Sequence, residues 1–355
     1  MKQRTSLVGL LMLLVLAVQA QDSSSFHWSG YADVYYNYDF NKPVNHTRPG
    51  FIYSQNRTQE FALNLAAIKL NYAQEGIRAN LALGTGTYMN ANYAAEPGLL
   101  KQVLEANLGF ALDRKKQWWF DAGILPSHIG FESAYSKDCP TYTRSLQADN
   151  SPYFETGARL SYSSADGKWY AALLAVNGWQ RIVQVDGNNG VSFGHQLTYK
   201  PNSKWTINSS SFVGNDKPQQ TRKTRIFHDL YASYTANQYW TFYGGFDIGW
   251  EQKQKGSSAY YRWSNGVFIA KYQINSQNVI AGRLEYFTDK NRVLISEAAP
   301  VELWGWGVNY DRTIWKKLLW RTEIRNLTNK EALFLNDNQL VRNSLQLISG
   351  MSINF

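Results

Sequence analysis

Residues Leu345 to Phe355 read LQLISGMSINF, a segment in which apolar and polar side chains alternate. One face of an extended strand carries Leu345, Leu347, Met351, Ile353 and Phe355, and the other carries Gln346, Gly350, Ser352 and Asn354, with Ile348 as the apolar exception. A period of two is that of a β-strand. An apolar outer face, a polar inner face and a terminal Phe are typical of the closing strand of a transmembrane β-barrel. A soluble sandwich can also end on such a strand, so the assignment depends on the rest of the chain.

The first twenty residues have the layout of a secretory signal peptide. Lys2 and Arg4 form a basic start, Leu7 to Val18 is an apolar run, and Ala20 ends a small-residue exit. We therefore expect cleavage before Gln21 and export. An uncleaved anchor is the alternative, but the run is short for a helix that must cross roughly 30 Å of hydrocarbon.

The composition favours one barrel domain over 21–355. Beyond residue 20 no apolar run approaches the ~20 residues of a spanning helix. The chain has 13 Trp, 23 Tyr and 17 Phe, residues that populate the interfacial girdles of a barrel. The formal net charge is +9, or +7 without Lys2 and Arg4. These basic residues are scattered, which argues against a nucleic-acid partner and for a mildly basic lumen or surface.

Strand-like segments recur along the whole chain. We predict sixteen, at 28–40, 59–72, 77–88, 101–112, 117–126, 153–162, 168–176, 191–199, 205–213, 225–234, 239–250, 259–272, 278–288, 301–311, 318–326 and 343–355. Long and short gaps alternate between them, as in an all-β, up-and-down antiparallel transmembrane barrel with longer extracellular loops and short periplasmic turns. Weak alternation in 168–176 and 205–213 and a helix-like 99–105 leave 14–18 strands open. About sixteen strands enclose a lumen too wide for side chains to fill, which predicts an aqueous channel.

Charged and aromatic side chains lie on opposite faces of these strands. In 239–250, Trp240 and Phe246 oppose Thr241 and Asp247. A water-soluble barrel would place its charges outside and its Trp side chains inside. Together with the signal peptide and the terminal Phe, the pattern predicts that the apolar face points outward into lipid.

Several segments carry a family resemblance. They read GYADVYYNYDFN at 30–41, FALNLA at 61–66, DAGILPSHIGFES at 121–133, SPYFETGARLSY at 151–162 and VNGWQ at 176–180. In these segments the chain resembles the β-barrel porin-2 (OmpL-like) family of bacterial outer-membrane proteins. The resemblance covers most of the N-terminal half. It implies the barrel fold and an outer-membrane location more firmly than it implies a solute.

The longest predicted loop, 127–152, is the best candidate for a constriction, since the corresponding loop of general porins folds into the lumen. Its acidic residues Glu132, Asp138 and Asp149 would face the wall arginines Arg159, Arg283, Arg321 and Arg325. Opposed acidic and basic rows create a transverse field that orients dipolar solutes. The alternative is a solvated loop over lumen charges that merely pair. The other candidate pore-lining residues are Glu155, Asp247, Glu285 and Glu323.

Two further features have simpler interpretations. Cys139, the one cysteine, is interpreted as incidental. The alternating residues of the first strand, Asp33, Tyr35, Asn37 and Asp39, are interpreted as solvated lumen lining because carboxylates spaced along a strand do not converge on a cation.

An enzymatic alternative comes from the turn at 200–204. Pairing across it joins residues whose numbers sum to about 404, which places His195 beside Ser209 on the outward face. A Ser–His pair on the lipid face is the arrangement of outer-membrane phospholipase, where His activates Ser against an acyl ester. The sequence shows no nucleophile elbow and no third residue for such a site.

The hypothesis that accounts for most of the sequence is a porin. It predicts a water-filled channel for passive diffusion of small hydrophilic solutes or ions, with a weak anion preference and with no catalytic group or cofactor. The alternatives are the lipid-face hydrolase and a structural or adhesive barrel with a closed lumen. Expected partners are outer-membrane lipid, the solutes and the barrel-assembly machinery, which would recognise the strand that ends at Phe355. A homotrimer is one open expectation.

Overall fold

The computed structural model describes residues 25–355, so the predicted signal peptide lies outside the described residues. Sixteen antiparallel strands form a closed barrel, in which each strand pairs with its neighbours in sequence and the first pairs with the last. The barrel strands are β1 Phe26–Asp39, β2 Phe61–Gln74, β3 Ile77–Thr85, β4 Val103–Ala111, β5 Trp118–Pro126, β6 Phe154–Ser163, β7 Trp169–Val176, β8 Ser192–Tyr199, β9 Trp205–Gly214, β10 Arg225–Thr235, β11 Trp240–Gln252, β12 Tyr260–Gln273, β13 Asn278–Asp289, β14 Val301–Trp315, β15 Leu318–Asn329 and β18 Asn343–Asn354. The predicted fold class is confirmed.

The loops contain the remaining elements. Two short strands, β16 Phe334–Asn336 and β17 Gln339–Val341, pair with each other in the last long loop. The α-helices are α1 Thr87–Asn92 and α2 Leu146–Asp149, and 3-10 turns occupy Gly98–Gln102, Ser136–Asp138 and Gln219–Thr221. None of the helices among the described residues has the length and apolarity needed to cross a membrane.

The sixteen predicted strands each coincide with an observed one, and the differences are at their ends. The largest is in β14, which continues to Trp315 instead of ending at residue 311, so that only two residues separate it from β15. The helix-like 99–105 is a 3-10 turn that runs directly into β4. The β16–β17 hairpin was not predicted, because strands of three residues are too short to show an alternation.

The C-terminal strand closes the barrel. β18 lies between β1 and β15, with Ser352 opposite Asp33 and Leu347 opposite Tyr38. The Gly30 N–H donates to the Phe355 carbonyl at 2.7 Å, and the Phe355 N–H donates to the Gly30 carbonyl at 3.0 Å. The Phe355 ring lies over Gly30, where a Cβ would collide with it. The predicted faces of this strand are confirmed, because Leu347 is exposed and Ser352 is buried.

The long-loop end of the lumen contains an apolar cluster. Phe51 and Ile52 from the first loop, Leu146 from the third, Ile295 from the seventh and Phe334 from the last fold inward. They pack against inward-facing wall residues that include Phe212, Phe227, Trp263, Phe287 and Leu303. The lumen is therefore too wide for wall side chains alone, as predicted, but loops occupy much of it.

We expect Leu284→Arg to lower the free energy of unfolding by ~2–4 kcal/mol, because it places a charge on the lipid face in the middle of β13. Leu284 is 62% exposed and points outward. The control is Thr288→Arg, on the same face near the end of the strand, with an expected cost of ~0–1 kcal/mol. Equilibrium urea unfolding in lipid vesicles measures both, and equal effects would contradict the assigned depth.

Candidate functional site

The third loop, residues 127–153, folds into the lumen. It joins β5 to β6, and all of its residues from 139 to 149 are buried. Its α2 helix begins after Ser145, whose hydroxyl accepts a hydrogen bond from the Ala148 N–H at 3.1 Å. A Ser cap of this kind satisfies one of the free amides of the first helical turn. The loop therefore keeps a local structure of its own inside the barrel.

A buried ion pair on β13 and β15 holds the middle of this loop. Arg283 pairs with Glu323 at 2.7 Å, and both residues are buried. The Arg283 guanidinium also donates to the Thr143 carbonyl and to the Thr141 hydroxyl, each at 2.7 Å. The Thr143 N–H donates to Glu323 at 2.7 Å. Both members of the pair are thus satisfied in part by the loop.

Two more wall pairs repeat this arrangement. Arg325 pairs with Glu285 at 2.7 Å, and the same carboxylate accepts from the Leu146 N–H at the start of α2. Arg321 pairs with Asp311 at 2.7 Å and donates to the Cys139 carbonyl at 3.2 Å. In these pairs, the wall carboxylates accept hydrogen bonds from backbone amides of the loop, and the wall guanidinium groups donate hydrogen bonds to its backbone carbonyls.

The loop also reaches β1 and β14. The Tyr142 O–H donates to Asp33 at 2.9 Å, and the Tyr142 N–H donates to Asn309 at 3.1 Å. Asp33 accepts in addition from Asn64 at 3.0 Å. The interpretation of the first strand as solvated lumen lining is therefore wrong for Asp33, which is buried beneath loops. Tyr35, Asn37 and Asp39 point inward as predicted but are likewise buried.

The loop acids do not form a row opposite the arginines. Glu132 accepts from the Ser145 N–H at 3.2 Å, and burial raises its pKa while the nearby Arg283 opposes that rise. Asp138 pairs with Lys137 at 2.7 Å on the exposed side of the loop. Asp149, the last residue of α2, is buried.

The remaining predicted wall residues lie apart from these pairs. Arg159 pairs with Asp121 at 3.2 Å. Glu155 contacts the His128 ring at 2.8 Å, and Asp247 accepts from Gln147 of the third loop at 2.6 Å. The structure therefore brings Arg283, Glu285, Arg321, Glu323 and Arg325 together under the loop, and it places Arg159 and Asp138 elsewhere.

Sequence reasoning missed Arg48 and Arg144. Arg144 donates to the carbonyls of Ser133 at 2.6 Å and Tyr142 at 3.1 Å, which fixes the curvature of the third loop. Arg48 lies in the first loop and is 5% exposed. Burial and the neighbouring Arg325 lower its pKa. The sequence contains no signal for Arg48, because only tertiary packing turns the first loop inward.

Asp149 has the most unusual environment among the loop acids. Burial raises its pKa to about 7, against the opposing effects of Arg325 and Arg48. Neither of its carboxylate oxygens has a hydrogen-bond partner within residues 25–355. A buried carboxylate without a hydrogen bond is costly, so its position points to a polar space beside it.

Three cavities lie among the loops that fold into the lumen. One of about 540 Å³ is lined by Arg48, Tyr53 and Glu297, and one of about 390 Å³ is lined by Tyr53, Asp149 and Ser151. A third of about 460 Å³ lies on the other side of α2, where it is also lined by Ser151. It extends to Thr206 and Ser233, which are paired near the short-turn end of β9 and β10.

The Ser–His pair has a different register from the predicted one. His195 lies opposite Ser211, and Ser209 lies opposite Leu197, so that residue numbers sum to 406. The His195 Nδ1 contacts the Ser211 hydroxyl, and its Nε2 lies 3.4 Å from the Ser209 hydroxyl. In the described part of the chain, no carboxylate hydrogen-bonds to His195 to orient it. Nor do three or more His, Cys, Asp or Glu side chains converge there as metal ligands would.

We expect Glu323→Gln to lower the free energy of unfolding by about 3 kcal/mol, the lower end of the range for breaking a buried ion pair, because Arg283 loses one of its two carboxylate partners and keeps only Glu285 at 3.3 Å. Amide hydrogen exchange at Thr143 should also accelerate, since its acceptor is weakened. The control is Glu302→Gln, which breaks an exposed pair with Lys290 at 3.1 Å and should leave stability nearly unchanged. Urea unfolding in vesicles and hydrogen exchange measure these effects; equal effects of the two variants would contradict the anchoring of the loop.

We expect Cys139 of the folded protein to resist a charged maleimide at neutral pH. Its thiol is buried, donates to the Ser133 carbonyl at 3.3 Å, and has a pKa raised by burial. The thiolate is the reactive form, so labelling should appear only after unfolding in urea. Mass spectrometry before and after unfolding measures this, and rapid labelling of the folded barrel would show that the third loop leaves the lumen.

Comparisons with known proteins agree with this architecture. The family model described as "Putative beta-barrel porin-2, OmpL-like" matches residues 25–355. The anion-selective porin from Comamonas acidovorans is similar in structure with a TM-score of 0.64 and 10% identity, over 94% of this chain and 100% of that one. The outer-membrane expressed OmpT of Vibrio cholerae has a TM-score of 0.61 and 8% identity, over 94% and 99%. OprB of Pseudomonas putida has a TM-score of 0.62 and 8% identity, over 93% of this chain and 94% of that one.

At such identities the solved structures show the fold alone, and no curated protein matches the chain. The family match spans every residue that the structure describes. Family and fold indicate an outer-membrane protein. The matched family is the one that the sequence segments resembled. The chain belongs to the putative β-barrel porin-2, OmpL-like family.

Proposed function

We propose that the protein is an outer-membrane porin through which small hydrophilic solutes and ions diffuse passively. The observation that carries the proposal is the set of three cavities that extends from the first loop to the far side of the third loop. Ser151 lines both the 390 Å³ cavity on the long-loop side and the 460 Å³ cavity on the short-turn side. The segment that follows α2 therefore lies between these two cavities, and the proposed route runs past it.

The third loop touches the barrel wall at several places. The arginine–carboxylate pairs tie it to β13, β14 and β15, and the Phe131 ring packs against Tyr231 of β10 and Tyr243 of β11. The 460 Å³ cavity is lined by these two tyrosines and by Leu104 and Glu105 of β4. In the proposed route, solutes pass through this space that the loop leaves inside the barrel.

Passage through such a channel requires no catalytic residue. The closed sheet satisfies the backbone hydrogen bonds that lipid cannot satisfy, and the size and charge of the narrow segment set the selectivity. Arg283, Arg321 and Arg325 are neutralised by their partners, so they contribute a fixed local field rather than free cations. The mature net charge of +7 supports a weak anion preference.

We further propose one barrel domain over 21–355, a cleaved signal peptide at 1–20, and recognition of the C-terminal strand by the barrel-assembly machinery. A homotrimer is supported by analogy, since OmpT of Vibrio cholerae, with a TM-score of 0.58 at 9% identity, has been solved in a trimer form. The lipid-face hydrolase is not favoured, because His195 contacts two serines but no orienting carboxylate in the described part of the chain.

We expect Ser151→Trp to reduce single-channel conductance several-fold in planar bilayers, because an indole fills the junction of the two cavities. Ser276→Trp, in an exposed turn, is the control and should conduct like the wild type. Folding of each variant is checked by its heat-dependent gel mobility.

Steady ohmic openings that Ser151→Trp reduces would support the route. Silence from folded wild-type protein would contradict the porin proposal and favour a closed structural barrel. Openings that are unaffected by Ser151→Trp would place the route elsewhere. A salt gradient across the same bilayer gives the reversal potential and tests the anion preference.

A further inference from the structure

We propose that the long-loop end of the route binds small zwitterions, such as α-amino acids, between Arg48 of the first loop and Asp149 of the third. The inference rests on the proposed function, since it names the class of solute that the channel would bind. An α-amino acid offers its carboxylate to the guanidinium of Arg48 and its ammonium group to the carboxylate of Asp149.

The first observation is that both side chains are buried without a hydrogen-bond partner. Within residues 25–355, the Nε and Nη1 atoms of Arg48 and both carboxylate oxygens of Asp149 have none. Arg48 is 5% exposed and Asp149 is 2% exposed. Buried polar groups in folded proteins nearly always have a partner, and an unpaired buried charge costs several kcal/mol. The two groups are therefore arranged to be satisfied by something other than the protein.

The second observation is that the two side chains line neighbouring cavities and form no salt bridge with each other in the described structure. Arg48 lines the 540 Å³ cavity and Asp149 the 390 Å³ cavity, and Gly50, Tyr53 and Ala91 line both. Each charge also shifts the pKa of the other. A gap of that kind between opposite charges is bridged by a third molecule, either water or a ligand. A ligand that carries both charges can form charge-assisted hydrogen bonds to Arg48 with its carboxylate and to Asp149 with its ammonium group. These bonds offset the cost of keeping the two buried ions unpaired.

Four of the charged groups around the pair are already committed to other partners. Arg325 pairs with Glu285, Glu323 pairs with Arg283, Arg144 donates to backbone carbonyls, and Glu132 accepts from Ser145. A simple anion would neutralise Arg48 and leave Asp149 unsatisfied, and a simple cation would do the reverse. A solute with both charges neutralises the two groups together.

The cavities give this solute access and space. Arg48 lines the 540 Å³ cavity and Asp149 lines the 390 Å³ cavity, and Gly50, Tyr53 and Ala91 line both. Volumes of 300–1,000 Å³ are usual for small-ligand sites. Both cavities lie on the long-loop side of α2, so a solute would meet this pair before it reaches the junction at Ser151.

The test compares four solutes of similar size on refolded protein in detergent micelles, by saturation-transfer NMR. They are L-alanine, a zwitterion; L-lactate, an anion; L-alaninamide, a cation; and lactamide, which is neutral. We expect saturable binding of alanine, at least about tenfold tighter than that of the other three, because each lost charge removes a charge-assisted contact. Equal binding of alanine and lactamide would overturn the proposal.

Variants then assign the binding to the two residues. Arg48→Gln and Asp149→Asn should each weaken alanine binding at least about tenfold. Arg222→Gln and Asp186→Asn, which change exposed loop residues of the same types, should leave it unchanged. Alanine binding that survives both buried substitutions would overturn the proposal, as would lactate binding equal to that of alanine and lost only in Arg48→Gln. The double variant that carries Arg48→Asp and Asp149→Arg should bind alanine more tightly than Arg48→Gln or Asp149→Asn does. Heat-dependent gel mobility checks that each variant is folded.

Conductance separates this inference from the porin proposal. A barrel that conducts but shows no alanine binding overturns the zwitterion site and keeps the channel. A folded barrel that binds alanine but never conducts overturns the channel and keeps the site. In a conducting barrel, alanine should also reduce the ion current saturably, and Asp149→Asn should remove that reduction.

Discussion

The constraint on which the whole structure depends is that lipid offers no hydrogen bonds to the backbone. Sixteen strands meet this constraint by closing on themselves, and the closing step joins β18 to β1. The reciprocal bonds between Gly30 and Phe355 complete that seam at its end. Once the sheet is closed, the alternation of side chains has only one consistent assignment, with Leu347 and Met351 toward lipid and Gln346 and Ser352 toward the lumen.

Closure with sixteen strands creates a second problem, since the inward-facing side chains are too short to fill the lumen. The third loop fills part of this space, and charged side chains of the wall hold the loop in place. A buried ion pair is stable only when its remaining donors and acceptors are satisfied. Arg283 and Glu323 are satisfied partly by the loop backbone at Thr143, so the pair and the loop require each other. The same mutual dependence holds at Arg325 with Glu285 and at Arg321, and the contacts of Tyr142 with Asp33 and of Gln147 with Asp247 tie the loop to β1 and β11 as well.

The long-loop end of the lumen has an apolar part and a polar part. The long-loop end combines an apolar cluster, which includes Phe51 and Phe334, with a polar region around Arg48 and Asp149. The apolar cluster excludes solutes from its part of the cross-section, and the polar region leaves room for them. In the proposed channel, solutes would pass beside the polar region and not through the packed apolar cluster.

The sequence by itself predicted the order of the strands and, where the alternation is clear, their two faces, because alternation with a period of two is a local property of a strand. Weak alternation in 168–176 and 205–213 left the number of strands between 14 and 18, and the closed sheet decided sixteen. The sequence also identified the wall residues Arg283, Arg321 and Arg325. Register was less certain: the 200–204 turn gave a pairing two residues away from the observed pairing of His195 with Ser211. Tertiary structure alone decided the partner of each charge. Thr143 and Arg283 are 140 residues apart in the chain, and Arg48 enters the lumen only because the first loop packs inward. Such contacts depend on the folding of loops within a closed barrel, and no local periodicity encodes them.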